Sequence, residues 1–584
     1  MEPPSKAWSV DFEYSTDDNF RPVPICMVAR EIFSGELRRI WLWDDPPLDC
    51  PIDFTGSLYA AYAASAEMSC HLKLGWDMPE CIVDLHAEYC AEKAGLLPQR
   101  KGLLYALSSY GISGIAAGEK NDMRDLCIRG GPYTEKQREE ILTYCQSDVD
   151  ATAELFLKMW PRVSGHFSPA LWRGEYGKAV AKIEANGIPL DVPELKRLRG
   201  AWPRIKNQMI RTVDTHYDVF EGETFKEAKF AAWVEKEKID WPLLESGRPD
   251  LKRRTFSDMS KRESRVHPLH ELRKTLSELR LQDIPVGTDN RNHFAVMPYR
   301  SKTGRNQPKG KKFIFAGAKW LRHLIRPEPG MALAYVDWSG QEFGIAAYKS
   351  GDTNMIEAYE SGDPHLSFAK FARAVPQDAT KDSHPSDRKV FKIANLGILM
   401  GMGVRGLSMQ LGNREAKAVQ LLRSHKEVFP DYWSWSDDNL NHYLDGHALY
   451  GAMGWPLNPS LGTKTTTARN FKLQANGAEM MRLAAIAITA KGIRVCCPVH
   501  DAFLVEAPVG EIDEVVESVQ ESMAEASSVV LGGPQIRTDV DIFRYPARYE
   551  EVGGTGMWDL VNGFANLLNE EGGKPTMSRR LPEQ

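Results

Sequence analysis

The order of apolar and polar positions divides the chain into a mixed N-terminal part, a charged helical middle and a C-terminal part where strands and helices alternate. In Trp8-Ser9-Val10-Asp11-Phe12-Glu13-Tyr14, alternation predicts a strand with Trp8, Val10 and Phe12 on one face and Ser9, Asp11 and Glu13 on the other. Apolar residues at helical spacing run from Glu139 to Met159, and a second helix should end at Asn186-Gly187. Charged, helix-rich sequence continues to about Leu281. Beyond it, Met331 to Val336 and Ile493 to Val499 read as buried strands. Between these two lies a helix opened near Pro385 and closed by Gly401 and Gly403. Gly553, Gly554 and Gly556 open a C-terminal stretch, 551–584, expected to be a partly ordered tail.

Composition narrows the class. With 584 residues, 42% apolar and 10% aromatic, the chain is too long for one core, so two or more compact domains are expected. The longest apolar stretches, such as Ala484 to Ala490, fall far short of the roughly 20 residues a membrane helix needs. The start, MEPPSKAWSVDFEYS, lacks the basic-then-apolar layout of a secretory signal, so a cytoplasmic protein is expected. Nine cysteines without a CxxC pair suggest reduced thiols rather than a zinc ribbon or a disulfide framework. A net charge of -6 argues weakly against a protein that coats nucleic acid, but grips on DNA are local. Arg300, Lys302, Arg305, Lys309, Lys311 and Lys312 fall in one loop, with a shorter cluster at Lys252, Arg253 and Arg254. On charge alone such loops fit phosphates or plain solvent equally well.

Two constellations carry candidate chemistry. Asp11 and Glu13, side by side on one strand face, repel unless a hard divalent cation lies between them, though a solvated acidic face has the same pattern. Tyr144 and Asp148 share a helix face, where a phenol could orient a water beside a metal-bound carboxylate; a packed tyrosine with a surface aspartate has the same spacing. Further on, Asp337 and His500-Asp501 each follow a buried strand directly. Neighbouring strands would bring the two aspartates together to hold two Mg²⁺ ions about 3.5–4 Å apart, clamping both oxygens of a phosphoryl displacement. Between them Arg388 and Lys392 share a helix face continued by Leu396 and Met400. Two cations pointing one way suit a triphosphate, whereas an amphipathic surface helix with a basic edge is the bland alternative.

Together these motifs resemble the family A DNA polymerases of the bacterial DNA polymerase I type. Asp337 to Glu342 is similar to polymerase motif A, Arg388 to Gly401 to the fingers helix of motif B, and Val499-His500-Asp501 to motif C. Asn470 to Gln474 with Gly477 to Glu479 resembles the palm helix that contacts primer-template. Thr303-Gly304-Arg305 resembles the start of the minor-groove segment, and Asp363-Pro364-His365 the fingers histidine that meets incoming phosphates. Asp11-x-Glu13 and Tyr144-x-x-x-Asp148 resemble the DEDDy 3′-to-5′ exonucleases, with Glu67 at the place of a further carboxylate and Asp84 as a substitute.

The resemblance implies an RNase H-like α/β exonuclease domain over 1–165, followed by an α+β right-hand polymerase domain. The thumb would begin at 166–300, with palm and motif A at 301–355, fingers at 356–435 and palm with motif C at 436–550. Asp337 and Asp501 would bind two Mg²⁺, with Mn²⁺ able to substitute. Arg388, Lys392 and His365 would hold a dNTP triphosphate, Gln341, Leu396 and Met400 would line the nucleotide site, and Glu342 would crowd a ribose 2′-hydroxyl. Arg305, Asn470, Gln474 and His500 would meet primer-template DNA. Asp11, Glu13, Glu67 and Asp148 would hold a second metal pair, with Tyr144 orienting the attacking water. The implied protein is a monomer open to a processivity or replisome factor, serving replication or repair in a bacterium, phage or mobile element.

Departures from the family pattern matter too. Motif C continues with Ala502 where the family has glutamate, and motif A has Gly340 and Gly344 for glutamine and arginine. Met400 replaces a tyrosine and Leu396 an aromatic. A methionine offers no donor to Glu342, so a looser pocket with weaker ribonucleotide rejection is expected. One rival is a single-subunit RNA polymerase, against which Glu342 and the exonuclease motifs speak; another is a nuclease or scaffold with a decayed polymerase site, against which the intact Asp337, Asp501, Arg388 and Lys392 speak.

Overall fold

The computed structural model describes residues 5–96, 100–112, 117–278, 281, 284–310, 312–412 and 414–570. Lys311 of the basic loop and residues 571–584 of the expected tail lie outside them. The chain forms two compact units. One contains 1–188, 286–308 and 330–542, the other 189–285, 309–329 and 543–584. The boundary expected near 165 therefore falls inside the first unit.

The alternating sequence at the N-terminus becomes strand β1 (Ala7–Thr16) at the centre of a five-stranded sheet. Its companions are β2 (Pro22–Glu31), β3 (Leu37–Trp41), β4 (Leu58–Ala61) and β5 (Cys81–Asp84), in the order β3-β2-β1-β4-β5. β1, β2 and β3 pair antiparallel, whereas β4 and β5 run parallel to β1. Trp8, Val10 and Phe12 bury against Met27, Tyr59, Met68 and Trp76, as the alternation predicts. The opposite face is covered as well, because the helix Glu135–Gly165 lies across it: Ser9 is fully buried and its hydroxyl donates to the Val149 carbonyl at 2.8 Å. That helix starts in a capping box between Thr134 and Gln137, which satisfies two backbone donors that helix geometry leaves open. The next helix, Phe167–Asn186, ends at Gly187 as expected and carries Arg173, buried in a two-pronged bond to Glu88 at 2.5 and 2.9 Å.

A second sheet in the same unit has four strands, β6 (Met331–Trp338), β7 (Arg494–Val499), β8 (Ala502–Pro508) and β9 (Thr538–Arg544), ordered β7-β8-β6-β9. Both β6 and β7 pair antiparallel with β8. The apolar runs read from sequence are buried because the helices Thr465–Ala490 and Ile512–Leu531 pack on this sheet; the Trp338 indole donates to the Met523 carbonyl at 3.2 Å. In the middle of β8 sits Glu506, fully buried and held by Arg291 at 2.8 and 3.3 Å. Arg291 also donates to the Asn186 carbonyl at 2.6 Å, so one guanidinium ties the end of an N-terminal helix to the second sheet.

The other unit is helical, as its charged sequence predicts, with helices at Val192–Asp214, Glu227–Lys236, Arg253–Arg262 and His267–Glu278. The expected tail needs correction over 555–570, which form a helix. Trp558, Val561 and Ala565 recur at helical spacing; Val561 and Ala565 are fully buried, and the Trp558 ring stacks on His323 at 5.4 Å. This apolar stripe outweighs the glycines ahead of it.

Removing one partner of a buried ion pair costs about 3–5 kcal/mol when the remaining charge is left uncompensated, whereas Glu506 here keeps Arg494 at 3.2 Å. Arg291→Met should therefore lower unfolding stability by less than that, about 1–3 kcal/mol, seen as a fall in the urea midpoint. A midpoint unchanged within error would show that the pair contributes nothing.

Candidate functional site

Strand pairing builds the first site. β6 carries Asp337 one residue before its end, while His500 and Asp501 form the two-residue turn of the hairpin β7–β8. Asp337 is in register with Ala502, and the Trp338 amide donates to the Asp501 carbonyl at 3.2 Å, so the two aspartates stand at adjoining strand ends. His500 reaches this turn with φ of 55°, a left-handed conformation that non-glycine residues adopt at some cost, and its side chain is exposed. After Ser339, Gly340 takes φ of 62° and turns the chain at once into the helix Gln341–Ser350, whose first turn carries Glu342. The glycine that departs from the motif A pattern thus occupies a position that a side chain would strain.

These carboxylates crowd one another. Burial pushes Asp337 up to about 8, helped by the charges of Asp501, Asp539 and Glu342. Asp501 is also raised, by burial and then Glu342, against the pull of Arg305 and His500. Asp337 Oδ1 is buried and makes no hydrogen bond among the described residues. A crowded, under-bonded pair of this kind suits hard divalent cations. Asp539 was not singled out from the sequence. It lies on β9 next to β6, where the Ser339 amide donates to the Arg537 carbonyl at 2.8 Å, and its charge reaches Asp337. The alternation Thr538-Asp-Val-Asp-Ile was the available signal, but nothing in it says which strand lies alongside.

The basic helix forms over Pro385–Leu399, as expected. Arg388 pairs with Asp363, the N-cap of the helix Pro364–Phe371, and His365 in that helix is pushed down to about 4 by burial, with Lys392 and Arg388 adding to the effect. Arg388, Lys392 and His365 are therefore brought together. Asn395 holds the arrangement from behind, its amide nitrogen 3.4 Å from His365 Nδ1 and its oxygen 3.3 Å from His425 Nε2. Lys392 and Leu396 are exposed along one face, with Met400 half-buried at the helix end. Gln474, on the Thr465–Ala490 helix, donates to Glu342 Oε1 at 3.1 Å, and Arg305 Nη2 reaches the same oxygen at 3.3 Å. Asn470 lies one turn earlier on that helix, and Gln341 is buried. Glu342 is thus anchored although Met400 offers it no donor, contrary to the looseness expected from sequence.

The second site is built on β1. Asp11, Glu13 and Cys145 have ligand-type atoms all within 4.8 Å of one another. Glu67, from the helix Ser65–Leu74, is buried and raised well above the usual carboxylate range by burial, then Asp11, Asp84 and Glu13. Tyr144 is raised by burial and then by Glu13, Asp148 and Asp11, so all five expected residues converge. Asp84 does other work. It caps the helix Leu85–Glu92, accepting from the amides of Ala87 at 3.1 Å and of Ala63 and Ala64 at 3.2 Å. Glu67 thus lies among the carboxylates, Asp84 stands near it with its oxygens committed to backbone amides, and Cys145 joins as a neighbour invisible in the spacing.

Residues 280–543 match the family model of DNA polymerase family A. The chain is 24% identical over 393 residues to the thermostable DNA polymerase I of Thermus thermophilus, covering 60% of this chain and 45% of that protein. It is 25% identical over 419 residues to the DNA polymerase of Mycobacterium phage D29, covering 68% and 66%. The chain spans about half the length of the curated bacterial relatives it matches. Its fold is similar to the POL domain of Pol1 from M. smegmatis, solved in complex with DNA primer-template and dNTP, with a TM-score of 0.71 at 18% identity over 96% of each chain.

A carboxyl whose folded pKa exceeds its unfolded value stabilises the fold while protonated. For Asp337 that contribution is full below 3.8 and is lost as pH rises through about 8. Metal-free Asp337→Asn should therefore melt a few degrees above the parent at about pH 9, with the gain shrinking toward about pH 5. Calorimetry in chelator checks this, and equal melting temperatures at both pH values would contradict it.

Proposed function

We propose that this chain, whose residues 280–543 are a family A DNA polymerase domain, adds dNMPs to a primer 3′ end under template direction and removes them with an N-terminal 3′-to-5′ exonuclease. The observation that carries the reading is the meeting of Asp337 and Asp501 at adjoining strand ends, both raised by burial, Asp337 further by the charge of Asp501 and Asp501 by that of Glu342. Divalent cations held there, two Mg²⁺ with Mn²⁺ able to substitute, would neutralise the carboxylates and act as Lewis acids on the transferring phosphoryl group.

The chain's own groups do the rest. Arg388 exchanges its bond to Asp363 for a triphosphate oxygen, Lys392 adds a second cation from the same helix face, and His365, neutral near pH 7, donates a hydrogen bond. Gln341, Leu396 and Met400 border the nucleotide, and Glu342 stands against the sugar. Arg305, Asn470, Gln474 and His500 follow the primer-template, a partner supported by the similar POL domain having been solved in complex with DNA primer-template and dNTP. In the N-terminal site, Asp11, Glu13, Glu67 and Asp148 hold a second cation pair, and Tyr144, whose raised pKa keeps it a phenol, orients the attacking water. The phage relative supports a replicative or repair role of phage type. Among the described residues no helix is long and apolar enough to cross a membrane.

Primer extension with Mg²⁺ tests the reading. Asp337→Ala or Asp501→Ala should abolish extension and spare 3′-end degradation, whereas Asp11→Ala with Glu13→Ala should do the reverse. Substantial extension by either single mutant would sink the polymerase assignment, and undiminished degradation by the double mutant would sink the exonuclease assignment.

A further inference from the structure

We propose that Gln474 is the positioning residue that fixes the sugar-checking carboxylate of Glu342, taking over the role a donor at position 400 would otherwise have; this rests on the polymerase reading above. Glu342 Oε1 receives two N–H groups, from Gln474 Nε2 at 3.1 Å and from Arg305 Nη2 at 3.3 Å. The same Gln474 nitrogen lies 3.8 Å from Met400 Sδ. An amide nitrogen has two protons, so one can serve the carboxylate while the other meets the sulfur. Thioether sulfur is a weak acceptor, and Met400 therefore steers the amide without drawing it away from the carboxylate.

The support behind Gln474 is stiff. Its neighbours Leu473 and Ala475 are fully buried, so the Thr465–Ala490 helix is anchored where Gln474 emerges. One turn further along, a Cβ at Gly477 would stand 2.5 Å from Gln341 Oε1 and 3.2 Å from Arg305 Nη2. A side chain there would displace Gln341 and crowd Arg305, which lies against this helix with its Nε 3.4 Å from the Gln474 carbonyl. The two donors thus reach Glu342 from one platform. A carboxylate held by two donors on one oxygen cannot swing aside for a ribose 2′-hydroxyl, and charge-assisted bonds are the stronger kind.

The test compares kcat/KM for a dNTP and its matching rNTP on a primed template, in an Asp11→Ala, Glu13→Ala background. Gln474→Leu should lower the dNTP/rNTP ratio about tenfold, the size expected for losing one hydrogen bond to a charged group. Met400→Tyr alone should leave the ratio within about twofold, because the carboxylate is already held. Met400→Tyr added to Gln474→Leu should restore most of the loss, since a phenol can supply the missing donor. If Gln474→Leu slows both substrates equally and leaves the ratio unchanged, Gln474 contacts only DNA and the proposal falls. It falls equally if Met400→Tyr alone raises the ratio several-fold. No dNTP incorporation by the unsubstituted protein would overturn the polymerase reading and the proposal together.

Discussion

Repulsion between carboxylates pressed together at strand ends is the constraint around which the first unit is organised. An antiparallel sheet delivers Asp337 from one strand and Asp501 from the neighbouring hairpin, and burial denies both the water that would screen them. Nothing in such an arrangement is stable by itself. It persists because the strands that carry it are buried on long helices and because Arg291 neutralises Glu506 in the middle of the sheet. The strain is local and the packing that offsets it is spread over the whole sheet, a division common at functional sites.

The same physical device occurs twice in the chain. On β1, Asp11 and Glu13 lie close to Glu67 from one helix and Tyr144 from another, and burial raises Glu67. What differs is the surroundings. The C-terminal cluster has Arg305 and His500 beside it, opposing the rise of Asp501. The N-terminal cluster has a buried phenol and the thiol of Cys145 beside it instead.

Much of this was legible because it is written locally. Alternation placed Asp11 and Glu13 on one face, a proline and two glycines bounded the Arg388 helix, and buried runs ended at Asp337 and Asp501. What escaped depends on which segments meet. Asp539 matters only because β9 lies beside β6, a pairing between positions some two hundred residues apart in sequence that no spacing encodes. Asp84 looked like a spare ligand until its three backbone donors were visible. Glu342 looked unanchored because the donor was sought at Met400, whereas it comes from Gln474 on another helix. The glycines before residue 555 hid a helix whose apolar stripe was present all along.

If Asp337 is held protonated near neutrality by burial and by its acidic neighbours, cation binding must expel that proton. Titrating Mg²⁺ or Mn²⁺ into the Asp11→Ala, Glu13→Ala protein at about pH 7, in buffers of different ionisation enthalpy, counts the protons released. The account predicts release of about one proton per chain, lost in Asp337→Asn. Binding without proton release, or release undiminished in Asp337→Asn, would contradict it.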